Sequence, residues 1–463
     1  MVFSSIEFLL FFLPLFLLVY ALTPGKLKNV TLLSGSLVFY ALGEPWSLVI
    51  LMVSVAVNYF LSLHLGRRES QRSGNKRRNR RLEKRRRVLF AAAILLNLIP
   101  LVFFKCRVGE AGLPLGISFY TFQILSYLID LYRNGQKGEP SFVVFATYIT
   151  MFPRLLSGPI VYYSEVEKEL HKREFTVKGV QEGLKFFTMG LASKVLLADR
   201  IGLLWQEVQV TGFESISTPL AWLAAIAYSM KIYFDFYGYS LMAVGLGKML
   251  GFELPENFRT PYMATSVRDF YRRWHMTLGR WFCNYVYIPL GGNRRGEFRT
   301  VCNLLAVWFL TAIWHGSTAN FLIWGMLLWL AIVLERQLKA LGLWKYLEKG
   351  PGKWIAHLYV WAFIPITWIC FAITDIDQLQ IFLGRMFHVI PGIRVSVGDW
   401  QKALMNYRIL FSVGIFACTA GIQKLFHKMK DTLPGMVILA LLFWWCVWKL
   451  QLEGQNPFMY RDF

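Results

Sequence analysis

Between Thr300 and Leu334 the chain runs for 35 residues without a charged side chain, and inside that run stands the tripeptide Trp314-His315-Gly316. One bilayer crossing takes about 20 apolar residues, and two crossings with a turn take roughly 40. The run is too long for one helix and tight for two, which predicts a break at or near His315 inside the membrane. Gly316-Ser317-Thr318-Ala319-Asn320 supplies it. Irregular backbone at membrane depth survives only where protein or a water-filled cavity surrounds it, and an ionisable side chain at such a place is a functional-site candidate. The plainer alternative is a helix-end histidine bonded to a carbonyl.

Of the 463 residues, 56% are apolar and 16% aromatic, and the mean hydropathy is +0.43, well outside the soluble globular range. The composition predicts an all-α polytopic membrane protein, one integral membrane domain over residues 1–463, with about 10–12 crossings. Candidate spans are 6–22, 30–42, 46–65, 88–104, 115–131, 142–151, 184–204, 219–236, 301–314, 321–334, 354–373, 409–425 and 436–448. The first holds Glu7 and lacks a basic flank and a small-residue cleavage site, so it reads as a retained helix.

The net charge of +22 is unevenly spread. Twelve of the 50 basic residues lie between Arg67 and Arg87, within a predicted cytoplasmic loop over 66–87. Lys and Arg between spans mark the cytoplasmic side, and anionic headgroups account for the loop without nucleic acid, since no aromatics are interleaved for base stacking. Fixing this loop inside places the N-terminus outside, and His427-Lys-Met-Lys-Asp-Thr-Leu433, read as cytoplasmic by the same rule, places the tail over 451–463 outside. The cysteines Cys106, Cys283, Cys302, Cys370, Cys418 and Cys446 show no metal-ligand spacing, so no metal site is expected. No internal repeat of the kind a transporter would show is evident.

A second basic stretch, 259–299, holds eight arginines and two acids and is expected to be cytoplasmic and amphipathic. At 100° per residue, Arg268, Arg272, His275 and Gly279 share one face of a predicted helix and Phe270, Trp274, Thr277 and Trp281 the other. Such a face is commonly a lipid anchor. The arginines Arg268, Arg272, Arg273 and Arg280 around His275 should lower its pKa and keep it neutral, and guanidinium groups bind phosphates bidentately. Upstream, Asp235 lies among four aromatics, with Lys231 one turn back as its expected ion-pair partner. Arg154 stands within Phe152-Pro-Arg-Leu-Leu-Ser-Gly-Pro159, a predicted broken helix. Hydrolase elbows, metalloprotease motifs and phosphate-binding glycine loops are absent.

Six segments carry a resemblance: Pro114-Leu-Gly-Ile-Ser-Phe-Tyr-Thr-Phe-Gln123, Tyr233-Phe-Asp-Phe-Tyr-Gly-Tyr-Ser240, Pro255-Glu-Asn-Phe258, Arg272-Arg-Trp-His275, Tyr287-Ile-Pro-Leu-Gly-Gly-Asn293 and Leu310-Thr-Ala-Ile-Trp-His-Gly316. In this order they resemble the membrane-bound O-acyltransferase (MBOAT) family, its alginate O-acetyltransferase-like branch most nearly and the teichoic acid D-alanyl transferases more distantly. The resemblance implies a ring of tilted helices with re-entrant or broken segments around a thin central plug, where funnels from both faces meet at a catalytic histidine. It maps that histidine to His315 and a second required one to His275. Trp314, Asn320 and Asp235 are expected to shape the tunnel, and Arg268, Arg272, Arg273 and Arg280 to bind the donor. The implied donor is acetyl-CoA or an acyl carrier, with no bound cofactor. The implied setting is the bacterial cytoplasmic membrane, and the implied partners are an exopolysaccharide pathway and a secreted or membrane-anchored serine hydrolase-like acetyltransferase.

The ending Asn456-Pro-Phe-Met-Tyr-Arg-Asp-Phe463 resembles a short aromatic tail of this branch, which makes Tyr460 a candidate acyl acceptor. Where the family usually reads Trp-Phe-Arg-Asp-Tyr, this chain has Trp281-Phe-Cys-Asn-Tyr285; Tyr162 replaces a common arginine and Arg154 a usual glutamine. These departures bear on substrate. Transfer of D-alanine from a carrier protein, a flippase for a lipid-linked saccharide and an envelope scaffold are the alternatives.

Overall fold

The computed structural model describes residues 1–66, 76–106, 113–156 and 158–454. All regular structure among them is helical. In chain order the helices are α1 (Leu13–Leu22), α2 (Lys28–Ala41), α3 (Pro45–Leu65), α4 (Lys76–Cys106), α5 (Ile117–Asn134), α6 (Phe142–Thr150), α7 (Phe152–Leu155), α8 (Tyr163–His171), α9 (Val177–Ala192), α10 (Asp199–Thr211) and α11 (Thr218–Met249). The remainder comprises α12 (Val267–Arg273), α13 (Met276–Phe282), α14 (Glu297–His315), α15 (Ala319–Ala340), α16 (Lys345–Glu348), α17 (Pro351–Ala372), α18 (Ile376–Met386), α19 (Asp399–Ala417), α20 (Ala420–Met429) and α21 (Leu433–Glu453). The chain is an all-α polytopic membrane protein. Six helices among the described residues are long and apolar enough to cross a bilayer, or seven if the α19–α20 pair, bent by 77°, makes one span. The sequence suggested about 10–12. The difference lies in how the other candidates use their length: α6 has nine residues, and α11 has 32 but carries Lys231, Asp235 and Lys248.

Over the described residues the chain divides into two compact units, one of residues Met1–Phe187 with Tyr239–Pro255, the other of Thr188–Gly238 with the stretch from Glu256 to Gly454. In the first, the run expected to be a loop over 66–87 is helical from Lys76, because α4 begins there and carries its basic residues on the span's first turns. Arg86 shows why the helix extends: its guanidinium donates to the carbonyls of Leu65, Leu131 and Tyr132 and lies 4.6 Å from the Tyr132 ring, satisfying the Leu65 and Tyr132 carbonyls that the ends of α3 and α5 leave open. Arg154 is fully buried; it donates to the carbonyls of Tyr148 and Val161 and lies over the Tyr148 ring.

In the second unit α11 crosses the segment after α9 so closely that a Cβ at Gly238 would lie 2.6 Å from the Gly190 carbonyl oxygen and 3.0 Å from the Lys194 nitrogen. That approach decides the buried ion pairing. Lys194, on a π-helical turn over Ser193–Ala198, places its ammonium 2.5 Å from Asp199 and 3.0 Å from Asp235. The partner of Asp235 is therefore Lys194 and not Lys231, whose alkyl stem packs over Gly202. Removing one member of a buried ion cluster leaves an uncompensated charge at a cost of about 3–5 kcal/mol. Lys194→Met, which removes the cation that both carboxylates share, is expected to lower the unfolding temperature in detergent more than Asp199→Asn, with Lys194→Met/Asp235→Asn recovering part of the loss.

Candidate functional site

The stretch expected to form one amphipathic helix through His275 is broken. Helix α12 starts at two caps: the Ser266 hydroxyl accepts the Asp269 N–H at 2.9 Å, and the buried carboxylate of Glu335 accepts the N–H groups of Val267 at 2.5 Å and Arg268 at 3.1 Å. It ends at Arg273. Trp274 is extended, and His275 adopts the left-handed conformation with φ 45° and ψ 52° before α13 begins. A non-glycine residue there costs about 1–2 kcal/mol and persists only where its surroundings over-determine it. Asn257 does so. Its Oδ1 accepts from His275 Nδ1 at 3.1 Å, from the Thr277 N–H at 3.2 Å and from the Thr277 hydroxyl at 2.9 Å, while its own carbonyl accepts the Met276 N–H at 2.9 Å.

This arrangement sets the tautomer. Because the Thr277 N–H can only donate, the atom it meets on Asn257 is the oxygen, and His275 must carry its proton on Nδ1. Nε2 is left as the basic nitrogen, buried and without a hydrogen-bond partner among the described residues. Burial pushes the His275 pKa down to about 3, so the ring is neutral at physiological pH. The cause is desolvation and not the arginine cluster expected from the sequence. Phe236 meets the imidazole edge-on, ring centroids 4.7 Å apart.

The four arginines separate. Arg273 is engaged with Asp269 at 3.0 Å on its own helix, and Arg280 belongs to α13, beyond the break. Arg268 and Arg272 lie one turn apart on α12, and the half-buried Arg268 is pushed below its usual pKa by burial and by the neighbouring guanidiniums of Arg272 and Arg336. Arg336 is held by Glu297 at 2.5 and 2.7 Å. Among the described residues the Arg268 and Arg272 side chains have no ion-pair partner, which leaves concentrated positive charge beside the His275 turn.

His315 is the last residue of α14, and the irregular link before α15 is 316–318, shorter than the 316–320 break expected, because Ala319 and Asn320 already belong to α15. The two helices run past the charge-free stretch at both ends, from Glu297 to Ala340, which gives each a full crossing length. The turn is buried in protein. A Cβ at Gly316 would lie 2.2 Å from the Phe321 ring, so only glycine admits that packing. Asn320, fully buried, donates to the carbonyls of Cys370 and Phe371 at 3.1 and 3.2 Å and receives the Thr318 hydroxyl at 2.5 Å. It ties the turn to the end of α17 and sets Phe371 against His315. Trp314, Trp324 and Phe371 lie 4.5, 5.0 and 5.0 Å from the imidazole, centroid to centroid.

The two histidines are joined through aromatic contacts. From His315 the path runs to Trp324, on to Trp368 at 6.2 Å, and then to Trp274 at 4.9 Å, the residue before His275. Asp235 belongs to the buried Lys194 cluster, and Tyr460 lies outside the described residues. No group of three or more His, Cys, Asp or Glu side chains that could hold a metal occurs among the described residues. Sequence reasoning did not single out Asn257, Glu335, Trp324 or Phe371. Asn257 sat in the recognised Pro255-Glu-Asn-Phe258 segment, and Glu335 is the first charge after the apolar run; both signals were visible, though their targets are backbone groups far away in sequence.

The membrane-bound O-acyltransferase family model matches residues 131–373, a range that contains both histidines. The chain is 34% identical to the probable alginate O-acetylase AlgI of Azotobacter vinelandii, over 90% of this chain and 82% of that protein. It is 31% identical to a peptidoglycan O-acetyltransferase of Helicobacter pylori, over 83% and 80%, and 26% identical to a teichoic acid D-alanyltransferase of Bacillus subtilis, over 59% and 69%. With the family model spanning more than half its length and these relatives aligned over most of it, the chain belongs to the membrane-bound O-acyltransferase family and is an O-acyltransferase.

Proposed function

We propose that this enzyme carries an acetyl group from a cytoplasmic thioester donor, acetyl-CoA or an acyl carrier, across the membrane for O-acetylation of an extracellular polysaccharide. The observation that carries the reading is the pairing of a buried His315, boxed by aromatic rings, with a neutral His275 whose free Nε2 stands at the other end of an aromatic path. The names of the relatives support acetyl as the group and a glycan as the final acceptor. Both termini lie outside, as the placement of Lys and Arg predicts.

His315 acts as the base. Its imidazole takes the proton of the acceptor hydroxyl while that oxygen attacks the thioester carbonyl; the carbon–sulfur bond breaks, and the imidazolium returns the proton to the departing thiolate. No proton is gained or lost overall. The surrounding rings keep water from competing as acceptor. His275 accepts a hydrogen bond from the donor at Nε2, and Arg268 and Arg272 hold the donor's phosphates; Arg273 is spent on Asp269. Tyr460 receives the acetyl group on the outer face and passes it to a secreted or membrane-anchored serine hydrolase-like acetyltransferase.

A purified preparation should release thiol from acetyl-CoA. Loss of a general base costs about 100-fold or more, so His315→Ala should fall by at least that factor, and unchanged turnover would remove His315 from the chemistry. In the same assay without a polymer-side partner, mass spectrometry should find acetyl on Tyr460 and none in Tyr460→Phe; an unmodified wild-type tail would dismiss the relay.

Because Asn257 acts through His275, Asn257→Ala, His275→Ala and the double variant should lose activity by about the same factor rather than multiplying, as coupled neighbours do. His275 stays neutral down to about pH 3, so an acid limb between pH 5 and 8 must arise elsewhere, and the surviving activity of His275→Gln should keep that limb. Additive losses, or an acid limb that disappears with His275, would overturn this role.

For the arginines the expected signature is a KM for acetyl-CoA raised about tenfold in Arg268→Ala/Arg272→Ala with kcat held, the mark of lost uniform binding. A fall in kcat at constant KM would take them out of donor binding.

A further inference from the structure

On the exposed side of α14, turned away from His315, lies an apolar groove of about 400 Å³. Tyr285, Pro289 and Leu290 form one wall and Ala306, Phe309 and Leu310 the other. The buried face of α14 is a different one, made by Trp308, Thr311, Ala312 and His315, so the groove does not belong to the site described above. Phe309, Leu310 and Ile313 are each more than 40% exposed, as side chains facing lipid would be.

Arginines gather at one end of the groove. Leu290 leads directly into the turn carrying Arg294 and Arg295, and that turn is pinned to α14 by the buried Asn303, whose amide donates to the Gly292 carbonyl at 2.9 Å. Arg299 lies on the first turn of α14. All three arginines are exposed and make no ion pair or side-chain hydrogen bond among the described residues. At 1.5 Å per residue, the groove walls at 306–310 sit about 10–16 Å along the helix from Arg299. Charge at the helix start and an apolar slot two to three turns deeper repeat the layout of a phospholipid, with its anionic head at the interface and its chain below. A water-soluble protein fits poorly, because the slot lies along a membrane-crossing helix beneath the arginines.

We propose that this groove is a binding site for an anionic phospholipid, one acyl chain seated between 285–290 and 306–310 and the phosphate held by Arg294, Arg295 and Arg299. The bound lipid braces the outer face of α14, the helix whose inner end presents His315. Each Lys or Arg near an anionic surface contributes roughly 1 kcal/mol, about fivefold in occupancy.

The test uses the full chain in phosphatidylcholine vesicles doped with phosphatidylglycerol bearing a photoreactive group in its acyl chain. Illumination and peptide mapping should show labelling at 285–290 and 306–310 above that of the other exposed helices. Unlabelled phosphatidylglycerol should compete and phosphatidylcholine should not. Arg294→Ala, Arg295→Ala and Arg299→Ala should each lower the enrichment about fivefold, and Ala306→Trp, which fills the slot with the arginines intact, should abolish it. Variants are compared only where their unfolding temperature in pure phosphatidylcholine matches wild type. Uniform labelling of all exposed helices, equal labelling by a photoreactive phosphatidylcholine, or labelling indifferent to both kinds of variant would overturn the proposal. So would selective crosslinking of a soluble carrier protein, in place of lipid, to the same two segments.

Discussion

One side-chain oxygen, Oδ1 of Asn257, takes three hydrogen bonds, and the candidate site in the second unit depends on it. It closes the gap between α12 and α13, holds His275 in a conformation that would otherwise relax, and selects which ring nitrogen is basic. The same device recurs where the chain must stop being helical inside a water-poor interior. Glu335 accepts the first N–H groups of α12, Asn320 donates to the last carbonyls of α17, and Arg86 donates to those of α3 and α5. A helix end away from water leaves donors or acceptors open, and each of these residues closes such an end with a side chain from a distant part of the sequence. The irregular turns at His275 and His315 exist because those partners are present.

Buried charge follows a related rule. Lys194 sits between Asp199 and Asp235, and a Gly238 without a side chain lets the helices approach closely enough for the cluster to close. Arg154, buried in the first unit, is accommodated by two backbone carbonyls and the face of Tyr148. By contrast, Arg268 and Arg272 near the site, and Arg294, Arg295 and Arg299 beside the outer groove, are left without carboxylates among the described residues.

Much of this was readable before folding. Composition required a polytopic helical protein, the charge-free run around Trp314-His315-Gly316 required a break near His315, and six segments in order carried the family. His315, Trp314 and Asn320 lie about one buried turn, with Asn320 tying it to the end of α17. The count of crossings was less legible, because α11 mixes span-like length with Lys231, Asp235 and Lys248, and hydropathy cannot tell a lipid-facing helix from one buried in protein. The helical wheel through Arg268, Arg272 and His275 also misled: periodicity assumes a continuous helix, and a single asparagine at Asn257 interrupts it.

What the sequence determined by itself are properties that add along the chain: apolar length, charge placement, and motifs whose residues are neighbours. The tertiary structure decided properties that exist only between distant residues. It chose Lys194 over Lys231 for Asp235, made burial the reason His275 is neutral, put its proton on Nδ1, and linked the two histidines through Trp324, Trp368 and Trp274. Desolvation and hydrogen-bond direction depend on what surrounds an atom, and that is settled only when helices far apart in the chain have packed.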